Sequence, residues 1–179
     1  MASEIIVNTI KAPTTGANAN KIIVGSGQEL DASAGLITPA GYVLQKVITQ
    51  STNNQVINST SFTGVTSLTV SITPKIANSR LLVSVYLPAV YLEATGRHVY
   101  WTVFRDVASG GYTNIGLGTG NLANNALGLS SGNTSGGNQW TNLAAFVEDT
   151  GRSNSTATHS YRVYIKNNSA GQIQYISEG

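Results

Sequence analysis

Apolar and polar residues alternate with a period of two along most of the chain after Tyr42, a pattern typical of strands that bury one face. The clearest run is 67–73, where Leu68, Val70 and Ile72 alternate with hydroxyl side chains and Pro74 is expected to end the strand. Further strands are predicted at 80–87, 97–105, 140–148, 159–166 and 172–176, with weaker ones at 43–50, 55–58 and 112–117. No stretch carries a convincing helical period.

Two of these runs carry large side chains on both faces. In residues 80–87, Leu82 and Tyr86 lie on the face opposite to the Leu and Val positions, which predicts a strand covered on both sides and ended by Pro88. Residues 97–105 have the same character. They predict a central strand or one that a neighbouring subunit buries.

Many short strands at near-regular spacing, joined by segments rich in Gly and Asn, indicate an all-β fold over residues 41–179. The expected architecture is an antiparallel β-sandwich or jelly roll, and the domain boundary is predicted near residues 39–41. Residues 121–138 are expected to form a long polar loop that faces host or solvent.

Residues 1–40 differ from the rest, because two short β-branched runs are set there among Gly, Ser, Thr and Asn. Burying so few apolar side chains does not offset the entropy of ordering the segment, at roughly 1–2 kcal/mol per residue. Strands of this kind pair with copies of themselves. The pattern therefore predicts an extended assembly segment, in which the residues expected to carry assembly are Ile5, Val7, Ile10, Ile22 and Val24.

Composition excludes several classes of function. Charged residues make up 10% of the sequence and the formal net charge is +2, so a basic face for nucleic acid is not expected. The absence of cysteine excludes disulfides, thiolate metal sites and cysteine nucleophiles. No apolar run approaches the roughly 18–20 residues of a membrane span, and no basic and apolar leader begins the chain.

Phosphate and metal sites have weak signals. The run 115–120 is rich in glycine, but its spacing is wrong for a dinucleotide fingerprint and no lysine follows it. His98 and His159 stand about sixty residues apart, without the spacing of a zinc motif. We expect an inter-strand loop and two structural histidines, with no metal and no cofactor.

Enzymatic chemistry is also poorly supported. A glycosidase needs two carboxyls across a sugar, and Asp106 and Glu148, with Trp101 and Trp140, are the pair that could be imagined in that role. Nothing in the sequence brings them together, so the chain is not expected to be an enzyme. Exposed aromatic rings beside polar loops can stack on sugars, and Tyr112 and Trp140 are the candidates for glycan contact.

Two parts of the sequence carry a resemblance to phage proteins. Residues 2–11 (ASEIIVNTIK) and 21–33 (KIIVGSGQELDAS) resemble the N-terminal segments of marine tailed-phage virion appendage proteins. Residues 61–65 (SFTGV), 68–74 (LTVSITP), 78–83 (NSRLLV) and 103–106 (VFRD) resemble the C-terminal jelly roll of phage fibres.

The resemblance implies a homotrimeric structural protein of the virion that contacts other capsid or tail proteins. Because the chain has no long shaft, it implies a short fibre or knob, with capsid decoration as a second option. From a different class, a carbohydrate-binding module that contacts host-surface glycan stays open. No nucleic-acid partner and no membrane insertion are expected.

Overall fold

The computed structural model describes residues 14–16, 26, 43–92, 98–116, 126–131, 139–150, 156–169 and 173–176. The chain divides into two compact units, residues 1–42 and 43–179. The second unit contains every strand described below. The five predicted assembly residues, from Ile5 to Val24, lie outside the described residues.

The described residues form nine strands in two antiparallel sheets. The strands are β1 (Gln55–Ile57), β2 (Thr63–Ile72), β3 (Leu82–Leu92), β4 (His98–Val107), β5 (Thr113–Asn114), β6 (Gly128–Ser131), β7 (Gln139–Glu148), β8 (His159–Asn167) and β9 (Ile173–Ile176). Sheet A has the order β1-β9-β3-β7. Sheet B has the order β2-β8-β4-β5, and β6 also pairs with β4. The described part of the chain contains no helix, and so none that could cross a membrane.

The two sheets pack face to face around a shared apolar core. Inward positions of both sheets join in one cluster, for example Leu87 and Leu143 from sheet A with Trp101, Val163 and Ile165 from sheet B. All five are at most 5% exposed. The predicted all-β antiparallel sandwich is therefore confirmed. The alternation is most regular in β8, where every odd-numbered residue from His159 to Asn167 is buried.

A buried ion pair closes one end of the sandwich. Asp149, the residue after β7, accepts hydrogen bonds from Arg105 Nη1 at 2.7 Å and from the Tyr161 hydroxyl at 2.8 Å. Its side chain is fully buried, and its backbone N–H donates to the Leu81 carbonyl. Because Arg105 lies in β4 and Tyr161 in β8, this network ties the end of sheet A to sheet B.

Pro88 does not end its strand as predicted, since β3 continues to Leu92. The register between β3 and β7 shifts between Leu87 and Val90, which places the proline in a bulge. A bulge tolerates the missing N–H donor and lets pairing resume beyond it. The prediction for Pro74 is confirmed, because β2 ends at Ile72.

Two other local predictions are wrong. Residues 43–50 form no strand: their apolar residues come in adjacent pairs, as in Val43 and Leu44, so they cannot bury one face, and both side chains are exposed. The loop predicted at 121–138 contains β6, which pairs with residues 98–101 of β4. The polar sequence of β6 does not predict a strand. Residues 128–131 form one because their backbone pairs with the aromatic-rich strand β4.

Candidate functional site

The imagined catalytic carboxylates lie far apart in the fold. Asp106 is on the outer side of β4 and accepts a hydrogen bond from the Gly111 N–H at 3.0 Å. Glu148 lies on the outer side of β7 and forms a bidentate ion pair with Arg80, with both distances 2.6 Å. Trp101 is in the core between the two sheets. No sugar could lie between carboxylates on opposite outer faces.

His159 and Gly116 are both packed inside the fold. His159 is fully buried, with Nδ1 2.7 Å from the Ala157 carbonyl oxygen. No group of three metal-ligating side chains occurs in the described ranges. At the start of the glycine-rich run, a Cβ on Gly116 would lie 2.6 Å from Thr102 Oγ1, and that hydroxyl donates to the Gly116 carbonyl at 2.9 Å. This glycine allows close packing against β4.

The outer face of sheet B carries a packed cluster of aromatic rings. The Phe104 ring stacks on Tyr164 with centroids 3.9 Å apart, and Phe62 and Tyr112 contact these two rings at 6.0 and 5.8 Å. All four side chains are half-buried. We call them, with Tyr100, Arg162 and Lys166, the aromatic–cation cluster.

Two cations cover the rings of this cluster. Arg162 lies 4.5 Å from the centroid of Tyr112 and donates from Nε to Thr69 Oγ1 at 2.8 Å. The Lys166 ammonium lies 4.6 Å from the ring of Phe62 and 5.4 Å from that of Tyr100. Burial is the main cause that raises the pKa of Tyr164, and it lowers the pKa of Lys166. The face is thus partly closed by its own side chains.

Gly64 is required for this closure. A Cβ at this position would lie 2.9 Å from Cδ of Arg162 and 3.1 Å from Cζ of Tyr164. Because Gly64 has no side chain, the side chains of Arg162 and Tyr164 have room to cross β2. The sequence predicts Tyr112 as a candidate for glycan contact, but it gives no signal for Arg162 and Tyr164 of β8, which lie beside Tyr112 because β4 pairs with both β5 and β8.

The outer face of sheet A carries apolar side chains that nothing in the described chain covers. On β3 and β7, Leu82, Tyr86, Trp140 and Phe146 are 69%, 65%, 53% and 74% exposed. Tyr91 packs against Trp140 with ring centroids 5.0 Å apart, and their residues are paired in register. We call the outward apolar residues of these two strands the apolar stripe; its members are Leu82, Tyr86, Tyr91, Trp140, Ala144 and Phe146.

The apolar stripe is almost free of charge and lies at the edge of its sheet. The 11 residues of β3 and the 10 of β7 include one charged residue, Glu148, and Arg80 neutralises it. The pKa of Glu148 is lowered, chiefly by its hydrogen bonds from Arg80. Ser84 and Asn142 are the polar residues on the same face. β7 is an edge strand of sheet A.

The two residues predicted to contact glycan do not form one site. Tyr112 belongs to the aromatic–cation cluster on sheet B, whereas Trp140 belongs to the apolar stripe on sheet A. The whole core separates them. The structure also differs from the sequence prediction for residues 80–87, since the outer side of this strand is exposed in the single chain.

Comparison of this chain with protein-family models, with curated proteins and with solved structures found no match.

Proposed function

We propose that this chain is a non-enzymatic structural protein of a phage particle, a homotrimeric short fibre or knob that contributes to attachment at the host surface. The observation that carries the proposal is the strand order. If β5 and β6 are counted as one position beside β4, the orders β1-β9-β3-β7 and β2-β8-β4-β5/6 support an eight-stranded jelly roll. That fold is the one implied by the resemblance to phage fibre domains.

In this proposal residues 1–40 attach the protein to the particle and join the subunits. Their apolar side chains are too few to support a fold of their own. Three copies could build a shared β-structure that none forms singly. The sandwich would then be displayed outward on the virion.

Deletion of residues 1–39 tests the attachment role. We expect the remaining chain to fold, with the circular dichroism of an all-β protein, and to be missing from purified particles. Normal incorporation of the shortened protein would overturn the attachment role. Immunogold imaging of the full-length protein on particles separates a tail fibre from the alternative, a capsid decoration protein.

Glycan binding is a second candidate function, and one observation favours it. Trp140 is 53% exposed and its ring is supported from one side by Tyr91, an arrangement that suits stacking against a sugar. We expect Trp140→Ala to abolish any binding on an array of host-surface glycans. Tyr112→Ala is the matched variant on the opposite face, where Arg162 already covers the ring.

A further inference from the structure

The apolar stripe has the sequence pattern of a buried surface but is exposed in the single chain. β3 has apolar side chains on its inner face at Val83 and Leu87 and on its outer face at Leu82 and Tyr86. Strands with apolar residues on both faces are typical of sheets covered on both sides. Among the residues that the structure describes, the opposite sheet covers the inner face and none covers the outer face.

The size of the apolar stripe is that of an interface core. An aromatic side chain presents roughly 150–250 Å², so the exposed parts of Tyr86, Trp140 and Phe146 leave on the order of 300–500 Å² of apolar surface uncovered. The largest apolar patch on a typical monomer is roughly 300–600 Å² and is often functional. A stable interface buries about 800 Å² per partner, so the stripe needs a rim or a second contact region around it.

The charge of the apolar stripe restricts what can cover it. Burying an unpaired charge is costly, and the two strands offer one carboxylate that Arg80 already neutralises. A partner must therefore present an uncharged apolar surface. A second copy of this chain presents such an uncharged apolar surface in its own apolar stripe. It is also present at the same concentration.

The shape of the apolar stripe also suits identical copies. It is two strands wide, or about 10 Å, and the distance along β7 from Trp140 to Phe146 is roughly 20 Å. It runs parallel to the strands at the edge of sheet A. Three such narrow stripes can meet around an axis parallel to the strands, each contacting two neighbours.

We propose that the apolar stripe is the contact between the sandwich domains of three copies of this chain. This inference rests on the trimer in the proposed function and places a subunit contact on β3 and β7, in addition to the assembly segment. The aromatic–cation cluster on the opposite face then points away from the axis.

Multi-angle light scattering on the full-length chain tests the contact with charged substitutions. Phe146→Glu and Ala144→Lys place a charge in the stripe, and Ile76→Glu is the matched control at an exposed apolar residue outside it. We expect a trimer mass for the wild type and for Ile76→Glu, and a lower mass at the same concentration for both stripe variants. Ala144 is an exposed methyl group, so its replacement removes no packing within the chain.

The outcomes separate this proposal from the proposed function. A wild-type trimer that dissociates on dilution as readily as the Phe146→Glu and Ala144→Lys variants would overturn the stripe contact and keep the trimer. A monomeric wild type would overturn the trimer itself. A wild-type dimer that both variants dissociate would overturn the three-fold arrangement. Glycan binding to the wild-type assembly that Trp140→Ala removes would show the stripe open to solvent and would also overturn the contact.

Discussion

The two outer faces of the sandwich contain similar numbers of aromatic residues, but the rings are partly covered on sheet B and exposed on sheet A. On sheet B, Phe104 and Tyr164 stack on each other, and Arg162 and Lys166 lie over neighbouring rings. On sheet A, Tyr86 and Phe146 are exposed, and no residue that the structure describes covers them. The difference shows that aromatic content alone does not indicate a binding surface; what matters is whether the chain covers its own rings.

The largest expected effect is a loss of stability when the ion pair that joins the two sheets is broken. Asp149→Asn removes the fully buried charge that pairs with Arg105, whose side chain is 14% exposed, and breaking a buried pair costs about 3–5 kcal/mol of unfolding free energy. Glu148→Gln is the matched control, because the adjacent carboxylate is paired on the surface, where solvent screens the pair and it contributes little to stability. Urea unfolding followed by tryptophan fluorescence measures both. Equal destabilisation by the two variants would contradict the role of the buried pair.

The next prediction compares the faces directly, in the Ala144→Lys background, where we expect the stripe contact to be open. Tyr164→Ala removes a half-buried ring stacked on Phe104 and should cost about 2–3 kcal/mol of unfolding free energy. Phe146→Ala removes an exposed ring and should change it by less than about 0.5 kcal/mol. A cost for Phe146→Ala as large as that for Tyr164→Ala would show that the stripe packs within its own chain.

The smallest effect is the pH dependence of the surface ion pair beside the stripe. Because hydrogen bonds from Arg80 lower the pKa of Glu148 in the folded state, the pair stabilises the fold above the ordinary glutamate pKa of 4.5. This contribution is lost as the pH falls through the lowered value. Thermal midpoints of the wild type and Arg80→Gln should therefore differ slightly at neutral pH and converge in acid. A difference that grows in acid would contradict the sign.

Period-two patterns were sufficient for the long strands of the fold. β8 was predicted at 159–166 and observed at His159–Asn167, because alternating buried and half-buried positions leave one possible register. The polar strand β6 and the bulge at Pro88 could not be predicted from period-two patterns. Both depend on partners distant in sequence, since β6 is ordered by pairing with β4 and the bulge by the shifted register against β7.

The candidate surfaces were only partly predictable, for a related reason. Tyr112 and Trp140 were identified as amphipathic rings, but their exposure depends on neighbours supplied by other strands. Arg162 covers Tyr112 from β8, whereas Trp140 packs against Tyr91 and is still 53% exposed. The two-sided apolar pattern of residues 80–87 predicts a strand covered on both sides, whereas Leu82 and Tyr86 on its outer side are exposed in the single chain. The second cover expected from that pattern is, in our proposal, another copy of the chain.

Thiol reactivity compares the two faces most directly, because the wild-type chain has no cysteine. Ala144→Cys places one thiol in the apolar stripe, and Ser71→Cys places one at an exposed position on β2 of sheet B. Alkylation of the native full-length assembly should be several-fold slower at residue 144 than at residue 71, and the two rates should become equal in urea. Equal rates in the native assembly, with the trimer mass retained, would contradict the account.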